Sequence, residues 1–332
     1  MVSVNILLYN GKKYIEGCLK SVFNQSFRDI EINILDNNSH LKDWEETKRV
    51  KKELCPKDIK CNLIKSEENL GFARGHNFLI GHSKGEYILF LNQDCFLEAD
   101  FIRNALSVFN KKDKISAVQG KLMRLKEGEF GLEKTEFIDA TGLSMLKNRR
   151  IIARGQGQKD IGQYVGQEEI FGADGAAAFY SRQALDDLKI KGEFFDENFQ
   201  SYKEDVDLAW RARLFGWRTF YCPRAIGWHA RTSGESAQKG YLGIIKERRK
   251  ISRFSKYVSF RNQRLMQLKN ELWVLFLRDF FRIVFKEIAA WIYFILFERQ
   301  NIKAFFEILK LAPRALRKRK IIMKRRRIGW RE

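Results

Sequence analysis

VSVNILLYNGKKYIEGCLKSVFNQSFRDIEINILDNNS, residues 2–39, decides the fold. Val2–Leu8 is a short β-branched run that stops at Tyr9-Asn10-Gly11, so it reads as a strand closed by a turn. Apolar residues at 14, 15, 18, 19 and 22 then follow helical spacing across Tyr14–Phe23. Ile30–Leu35 is a second buried strand, stopping at Asp36-Asn37-Asn38-Ser39. Working outward, a polar helix is expected around Trp44–Glu53, a strand at Cys61–Lys65, a helix at Phe72–Ile80 and a strand at Tyr87–Leu91 that stops at Asn92-Gln93-Asp94. Strands alternating with helices predict a mostly parallel sheet covered on both faces. Ligands in such sheets bind beyond the C-terminal strand ends. Three strand ends carry polar clusters, Tyr9-Asn10, Asp36-Asn37-Asn38 and Asn92-Gln93-Asp94, and are expected to converge on one crevice.

The 332 residues, 45% hydrophobic and 13% aromatic, are enough for a sizeable core and exclude a disordered or coiled-coil chain. Five cysteines without a CxxC pair speak against a disulfide framework or a cysteine-based zinc site and for a reducing compartment. MVSVNILLYN lacks the charged and apolar regions of a signal peptide. The net charge of +21 is lopsided: residues 240–332 hold 25 Lys and Arg against 7 Asp and Glu, while the rest is nearly neutral. A basic segment of this kind reads either as a solvated face or as a surface for polyanions such as lipid headgroups. Its apolar residues are interrupted by charges, and the longest clean run, Ile288–Phe297, is too short to span a bilayer. That pattern fits a helix lying in a membrane interface, a helical cap on the body, or both.

Residues 115–181 read as mixed, with strands at Ala117–Met123 and Ala176–Tyr180 and a glycine-rich stretch at Gly155–Gly166. There is no GxxxxGK[ST] loop, and Gly155-Gln156-Gly157 does not complete a GxGxxG fingerprint. A nucleotide in the crevice therefore needs another counter-charge, and a divalent metal on Asp94 is the natural one, although Asp94 alone also reads as a turn residue. A second constellation lies in FDENFQSYKEDVDLAWRARLFGW, residues 195–217. Ser201 and Glu204 fit a capping box, which predicts a helix over Ser201–Leu214. Three acids in its first turn, Glu204, Asp205 and Asp207, exceed what capping needs, and an Asp projecting into a cleft can serve as general base. A strand follows at Arg218–Tyr221; His229 then reads as either a core histidine or a metal ligand.

Taken together and in order, these segments resemble the family 2 glycosyltransferases, near their bacterial rhamnosyltransferase-like members. Residues 2–39 resemble the first strand, helix and second strand ending in VDNxS; NLGFARGHN (69–77) resembles NxGfaxGxN; LFLNQDC (89–95) resembles the metal-binding DxD in its LNPD form. Residues 195–217 resemble the acceptor-side FDExFxxYxEDxDLxxRxxxxG motif. RNQRLMQLKN (261–270) resembles the helical extension more loosely.

The resemblance implies the GT-A fold, a Rossmann-like mixed sheet with helices on both faces, over residues 1–230. The nucleotide-sugar half would be 1–95 and the acceptor half 96–230, followed by a basic helical extension over 231–332. It implies a nucleotide-diphosphate sugar as donor, held by Tyr9, Asn10, Asp36, Asn38, Asn69, Gly71, Arg74, Asn92 and Asp94. Asp94 and His229 would hold a divalent Mg²⁺ or Mn²⁺, Asp205 would be the catalytic base, and Glu204 would contact the acceptor. The expected acceptor is a glycan or a polyprenyl-diphosphate-linked glycan, at the cytoplasmic face of a membrane with an anionic surface. Asn92 stands where the motif has its first Asp, leaving one charge fewer, and Gln93 replaces the usual Pro, a change expected to matter little. Nucleic acid is not an expected partner, since the body lacks a basic groove. A nucleotidyltransferase would need a glycine-rich, basic N-terminal loop that Tyr9–Lys13 does not supply. The remaining alternative is a catalytically silent relative that works as a membrane- or polyanion-binding module.

Overall fold

The computed structural model describes residues 1–110, 114–129, 131–231, 241–299 and 302–330. The N-terminal half alternates as read: β1 (Val2–Leu8), α1 (Lys12–Phe23), β2 (Ile30–Asp36), α2 (Leu41–Leu54), β3 (Lys60–Lys65), α3 (Gly71–His82) and β4 (Tyr87–Asn92). Then come β5 (Cys95–Leu97), α4 (Phe101–Phe109), β6 (Ile115–Gly128), β7 (Gly131–Ala140), β8 (Leu143–Met145), β9 (Ile151–Ala153), β10 (Glu168–Ile170), β11 (Ala177–Ser181) and α5 (Arg182–Leu188). The body closes with α6 (Glu204–Leu214) and β12 (Arg218–His229), and the basic segment forms α7 (Tyr241–Lys250), α8 (Arg253–Asn270), α9 (Trp273–Arg278), α10 (Phe280–Phe297) and α11 (Lys303–Arg325).

The main sheet runs in the order β10-β12-β6-β11-β4-β1-β2-β3. β1 is parallel to β2 and β4, and β2 to β3, whereas β11 is antiparallel to both β4 and β6, so the sheet is mixed. Alternation in β1 explains its two faces. Val2, Val4, Ile6 and Leu8 enter one core with Ile15, Leu19, Phe101 and Ile102 from α1 and α4. Ser3 and Asn5 point the other way and are also buried. They are satisfied across the sheet: Ser3 Oγ donates to Glu31 at 2.6 Å, and Asn5, Asn33 and Asn62 stand in register and hydrogen-bond in series at 3.2 and 2.8 Å. Such a ladder pins the register, since a slip of one residue would bury three amides without partners. The second core, on the opposite face, gathers Ile80, Phe90, Tyr180, Leu185 and Leu208 from α3, β4, β11, α5 and α6.

Two boundaries differ from the sequence reading. β12 does not stop at Tyr221. Its pairing with β6 shifts between Cys222 and Ile226, and this irregularity takes in Pro223, whose missing N–H a regular ladder would not tolerate. The strand then continues to His229, beside Cys95 of β5. In addition, α6 begins at Glu204 rather than Ser201. Its N-cap is Lys203, in the left-handed conformation with no side-chain cap, and the capping box does not form. The Ser201 hydroxyl instead accepts from the Phe72 N–H at 3.4 Å.

The basic segment settles partly as a cap. The side chains of Arg261, Asn262, Lys269 and Asn270 in α8 are buried against the body. α10 differs: Phe281, Phe285, Ile288 and Ile292, spaced along one of its faces, are 50–72% exposed. Among the described residues no helix is long and apolar enough to cross a membrane.

Candidate active site

The three polar strand ends do converge. Asn10 N–H donates to Ser39 Oγ and Asn10 Oδ1 accepts from His40 N–H, both at 3.0 Å, tying the loop after β1 to the loop after β2. Gln93 turns out to matter. Its side-chain amide pairs with the Tyr9 backbone in both directions, at 2.9 and 3.0 Å, and so locks the ends of β1 and β4 together. A proline there could make neither bond. Asp36 is fully buried with one carboxylate oxygen, Oδ1, left without a partner. An orphaned acceptor at a strand end costs stability unless a ligand donor meets it. Asn38 and Asn10 both have positive φ, which tightens these turns.

Asn69 braces rather than projects: its Oδ1 accepts from the Asn37 amide at 3.0 Å and from the Gly71 N–H at 2.9 Å. Gly71 has φ +71°, and a Cβ there would lie 3.0 Å from the Gln200 carbonyl. The start of α3 thus lies flat against the chain that leads into α6, and the Ala73 N–H donates to that same carbonyl at 2.9 Å. Arg74 is half exposed and pairs with Glu68 at 3.2 Å. Tyr9 is also half exposed at the crevice rim.

Asp94 and His229 face each other, Oδ1 to Nε2, at 3.4 Å. The opposite ring nitrogen, Nδ1, lies 2.8 Å from Asp139 Oδ2. A carboxylate behind the imidazole fixes its orientation and raises its basicity as a ligand. Burial pulls the His229 pKa down, but hydrogen bonds to Asp139 and Asp94 outweigh it and hold the value at about 9. Binding a metal at Nε2 would require the ring to release the proton that these two acids favour. One carboxylate and one imidazole could together hold a divalent ion, which would supply positive charge at this strand end. Among the described residues no cluster of three metal-binding side chains forms. The Asn92 side chain lies at the same strand end, and its neighbour Cys18 donates to the Asn92 carbonyl.

Asp139 leads onward. Arg231 binds its second oxygen at 2.7 Å and reaches Asp174 at 3.3 Å. Asp174 is held by Gln119, which accepts from its N–H at 2.7 Å. The next residue, Gly175, donates its N–H to Asp205 Oδ2 at 3.2 Å, and the Val206 N–H donates to Asp205 Oδ1 at 2.7 Å. The chain of contacts from Asp94 to Asp205 is thus unbroken. Burial and the Asp174 charge raise the Asp205 pKa to about 6, against the lowering pull of the two N–H groups and Lys203. Burial, with Asp205 beside it, pushes Glu204 well above the ordinary carboxylate range, and its Oε2 has no partner. Burial thus raises both adjacent carboxyls, each favouring the proton more than an exposed carboxylate does. Asp207 is not part of this face. It is fully buried and is bound by Arg211, Lys269 and Asn270 at 3.1, 2.9 and 2.6 Å.

The loop before α6 is held from behind. Gln200, Tyr202 and Lys203 all have positive φ, an unusual concentration for residues with side chains. The Asn262 amide on α8 donates to the carbonyls of Phe199, Ser201 and Tyr202 at 2.8–2.9 Å, and Arg261 donates to those of Asn198 and Phe199 at 3.0 and 3.2 Å. Asp139, Asp174, Arg231 and Asn262 are contributors that the sequence reading did not single out. Arg231 lies two residues after His229, and Asn262 lies within a segment noted only for its likeness to the extension.

Residues 3–189 match the family described as Glycosyl transferase family 2. An uncharacterized glycosyltransferase of Haemophilus influenzae is 26% identical over 137 residues, 41% of each chain. The chondroitin synthase of Escherichia coli is 32% identical over 118 residues, 36% of this chain and 16% of that one. The matches thus span less than half the length of these curated relatives. Among solved structures, a mannosyltransferase from Pyrobaculum calidifontis, in complex with GDP-Man and Mn²⁺, superposes with TM-score 0.53 at 16% identity, covering 95% of this chain and 75% of that one. This likeness shows a shared fold, GT-A.

Proposed function

The chain belongs to glycosyltransferase family 2, and on that premise we propose that it transfers a sugar from a nucleotide-diphosphate donor to an acceptor hydroxyl with inversion at the anomeric carbon. The observation that carries this reading is the continuous contact chain linking the Asp94–His229 pair to Asp205. Asp36, with its unpartnered oxygen, offers an acceptor to the base of the donor. Asp205 takes the proton of the acceptor hydroxyl. That oxygen forms a bond to the anomeric carbon as the bond to the diphosphate breaks, through a transition state resembling an oxocarbenium ion. Glu204, holding its own proton, donates a hydrogen bond to the acceptor. Arg231 and Asp139 hold His229 in place. Asp94 and His229 would hold a Mg²⁺ or Mn²⁺ ion, which would supply charge to stabilise the departing nucleoside diphosphate.

Calorimetry with UDP, dTDP, GDP and CDP, each with Mn²⁺ or Mg²⁺, tests the donor side. dTDP is included because the sequence resembles rhamnosyltransferase-like members, making dTDP-rhamnose the donor we put forward. One nucleotide is expected to bind in a metal-dependent way, and Asp94→Ala to weaken it by about a hundredfold or more. Binding of none would transfer the reading to the silent, surface-binding alternative.

We further propose that the extension, residues 231–332, seats the protein on the cytoplasmic face of an anionic membrane, where a glycan or polyprenyl-diphosphate-linked acceptor is presented. The exposed ridge of α10 and the surplus of basic side chains support this, since each Lys or Arg near an anionic surface contributes about 1 kcal/mol. The protein is expected to sediment with vesicles containing phosphatidylglycerol at low salt and to be released at high salt. Complete indifference to such vesicles would rule the placement out.

A further inference from the structure

Gly175 stands beside Asp205, yet neither its backbone nor its packing calls for a glycine. Gly71, Gly155 and Gly216 adopt positive φ, and Gly175 does not. Three residues earlier, a Cβ on Gly172 would lie 2.3 Å from that of Ala209, so packing excludes a side chain there. A Cβ on Gly175 would meet, as its nearest neighbours, Phe72 Cζ at 3.5 Å and Asp205 Oδ2 and Cβ at 3.6 and 3.7 Å. These are ordinary contact distances, so the position is open space with an aromatic edge on one side and the proposed base on the other. Gly175, Phe72 and Asp205 all keep partial solvent exposure.

Both walls are held from behind. The Phe72 ring packs on His76 with centroids 4.3 Å apart, and edge-on to Phe195 at 5.9 Å. His76 is fully buried, and burial pushes its pKa down to about 3, which keeps this support neutral. Asp205 Oδ2 is fixed by the Gly175 N–H itself, at 3.2 Å. The distances suit one kind of occupant. A hydroxyl donating to a carboxylate oxygen spans about 2.7 Å, which puts the carbon that carries it about 3.5 Å from the same oxygen. The Cβ position of Gly175 lies 3.6 Å from Asp205 Oδ2 and in apolar contact with Phe72, where the C–H of such a carbon would rest.

We infer that Gly175 and Phe72 form the seat for the carbon bearing the attacking hydroxyl, and that the side chain missing at Gly175 sets how bulky an acceptor can approach Asp205. This rests on the transferase reading above and adds to it two residues that determine specificity at the same site.

The test offers the nucleotide that binds in the calorimetry above in its glucose, galactose, N-acetylglucosamine, mannose and rhamnose forms, with Mn²⁺. Water, methanol and glycerol serve as acceptors. In each case the acceptor oxygen bonds to the anomeric carbon, its proton passes to Asp205 and the nucleoside diphosphate leaves, giving free sugar, methyl glycoside or glyceryl glycoside. The wild type is expected to divert part of the donor to both alcohols. Gly175→Ala is expected to lower the ratio of glyceryl glycoside to free sugar about tenfold or more, the scale on which one methylene is rejected, and the methanol ratio by less. Because the added methyl meets nothing closer than 3.5 Å, the Tm of this variant is expected to equal or exceed that of wild type. Phe72→Tyr adds its oxygen at Cζ, the atom nearest the seat, and is expected to lower the same ratio from the opposite wall. A glycerol ratio unchanged in either variant, an equal fall of all three products, or a wild type that cleaves donor with water and never with an alcohol would overturn the assignment. A wild type that cleaves no donor with any acceptor defeats the transferase reading itself, so the two failures are told apart.

Discussion

Asp205→Asn is expected to lower kcat by about a hundred- to ten-thousandfold, the range over which a positioned general base contributes. Donor affinity is expected to stay near wild type, because Asp205 touches the Gly175 and Val206 N–H groups and not the Asp94–His229 pair. The wild-type pH profile gives an independent reading of the same role. With the Asp205 pKa raised to about 6, the base is protonated below that pH, so kcat/KM is expected to climb as pH rises through about 6 and level off above it. In Asp205→Asn this limb disappears. The stability sign runs opposite to the activity. A carboxyl whose folded pKa lies above its unfolded value binds its proton more tightly in the native state. Its cost to stability therefore appears as pH rises through the interval from the unfolded pKa to about 6. At neutral pH the neutral amide is free of that cost, so the Tm of Asp205→Asn is expected to equal or exceed that of wild type. Near-wild-type turnover in this variant would show that the base lies elsewhere.

Lys269→Met is expected to destabilise the protein by about 3 kcal/mol or more, the scale for leaving buried partner charges uncompensated. Lys269 joins Asp196 at 2.5 Å and Asp207 at 2.9 Å, and all three are buried. Asp196 is also bound by Lys318 of α11 at 2.8 Å. Burial alone would raise the Asp196 pKa, but the two lysines overcome it and hold it well below the usual carboxylate range. The stabilisation from a depressed carboxyl is complete above its unfolded pKa and drains away as pH falls below it. The difference between Lys269→Met and wild type in urea unfolding at neutral pH is therefore expected to shrink as the pH is lowered below about 4. A midpoint unchanged at neutral pH would mean that Lys318 and Arg211 suffice without Lys269.

The sequence made the N-terminal half legible for a physical reason. In β1, β2 and β4 every apolar run is short and stopped by polar residues, and β1 and β2 are rich in Val and Ile, so the strand, its end and the crevice beyond it are local properties. Asp94 and Asp205 could be singled out because each follows or opens such an element. The features that were missed depend on partners far along the chain. Asp139 gains meaning only from His229, 90 positions away, and Asn262 only from carbonyls about 60 positions earlier. The capping box illustrates the converse: Ser201 and Glu204 satisfy a local rule, but Phe72 claims the serine and Asn262 holds the turn in a left-handed conformation that the rule does not contemplate. Gln93 likewise looks neutral until Tyr9 is seen beside it.

The clamp of α8 and α11 on the loop before α6 also bears on biosynthesis. Strands β1 to β4 pair with one another within residues 2–92, whereas the Asp94–His229 pair also draws on Arg231, just past β12. The turn carrying Glu204 and Asp205 is in a different position, since its carbonyls await Asn262 and its buried acids await Lys269 and Lys318. On the proposed reading, a nascent chain on the ribosome would thus complete its donor-side strand ends before the turn that carries Asp205 is held in place. On the same reading, a chain terminated before Lys318 is expected to bind donor without consuming it, since Asp196 would lack one of its two lysine partners.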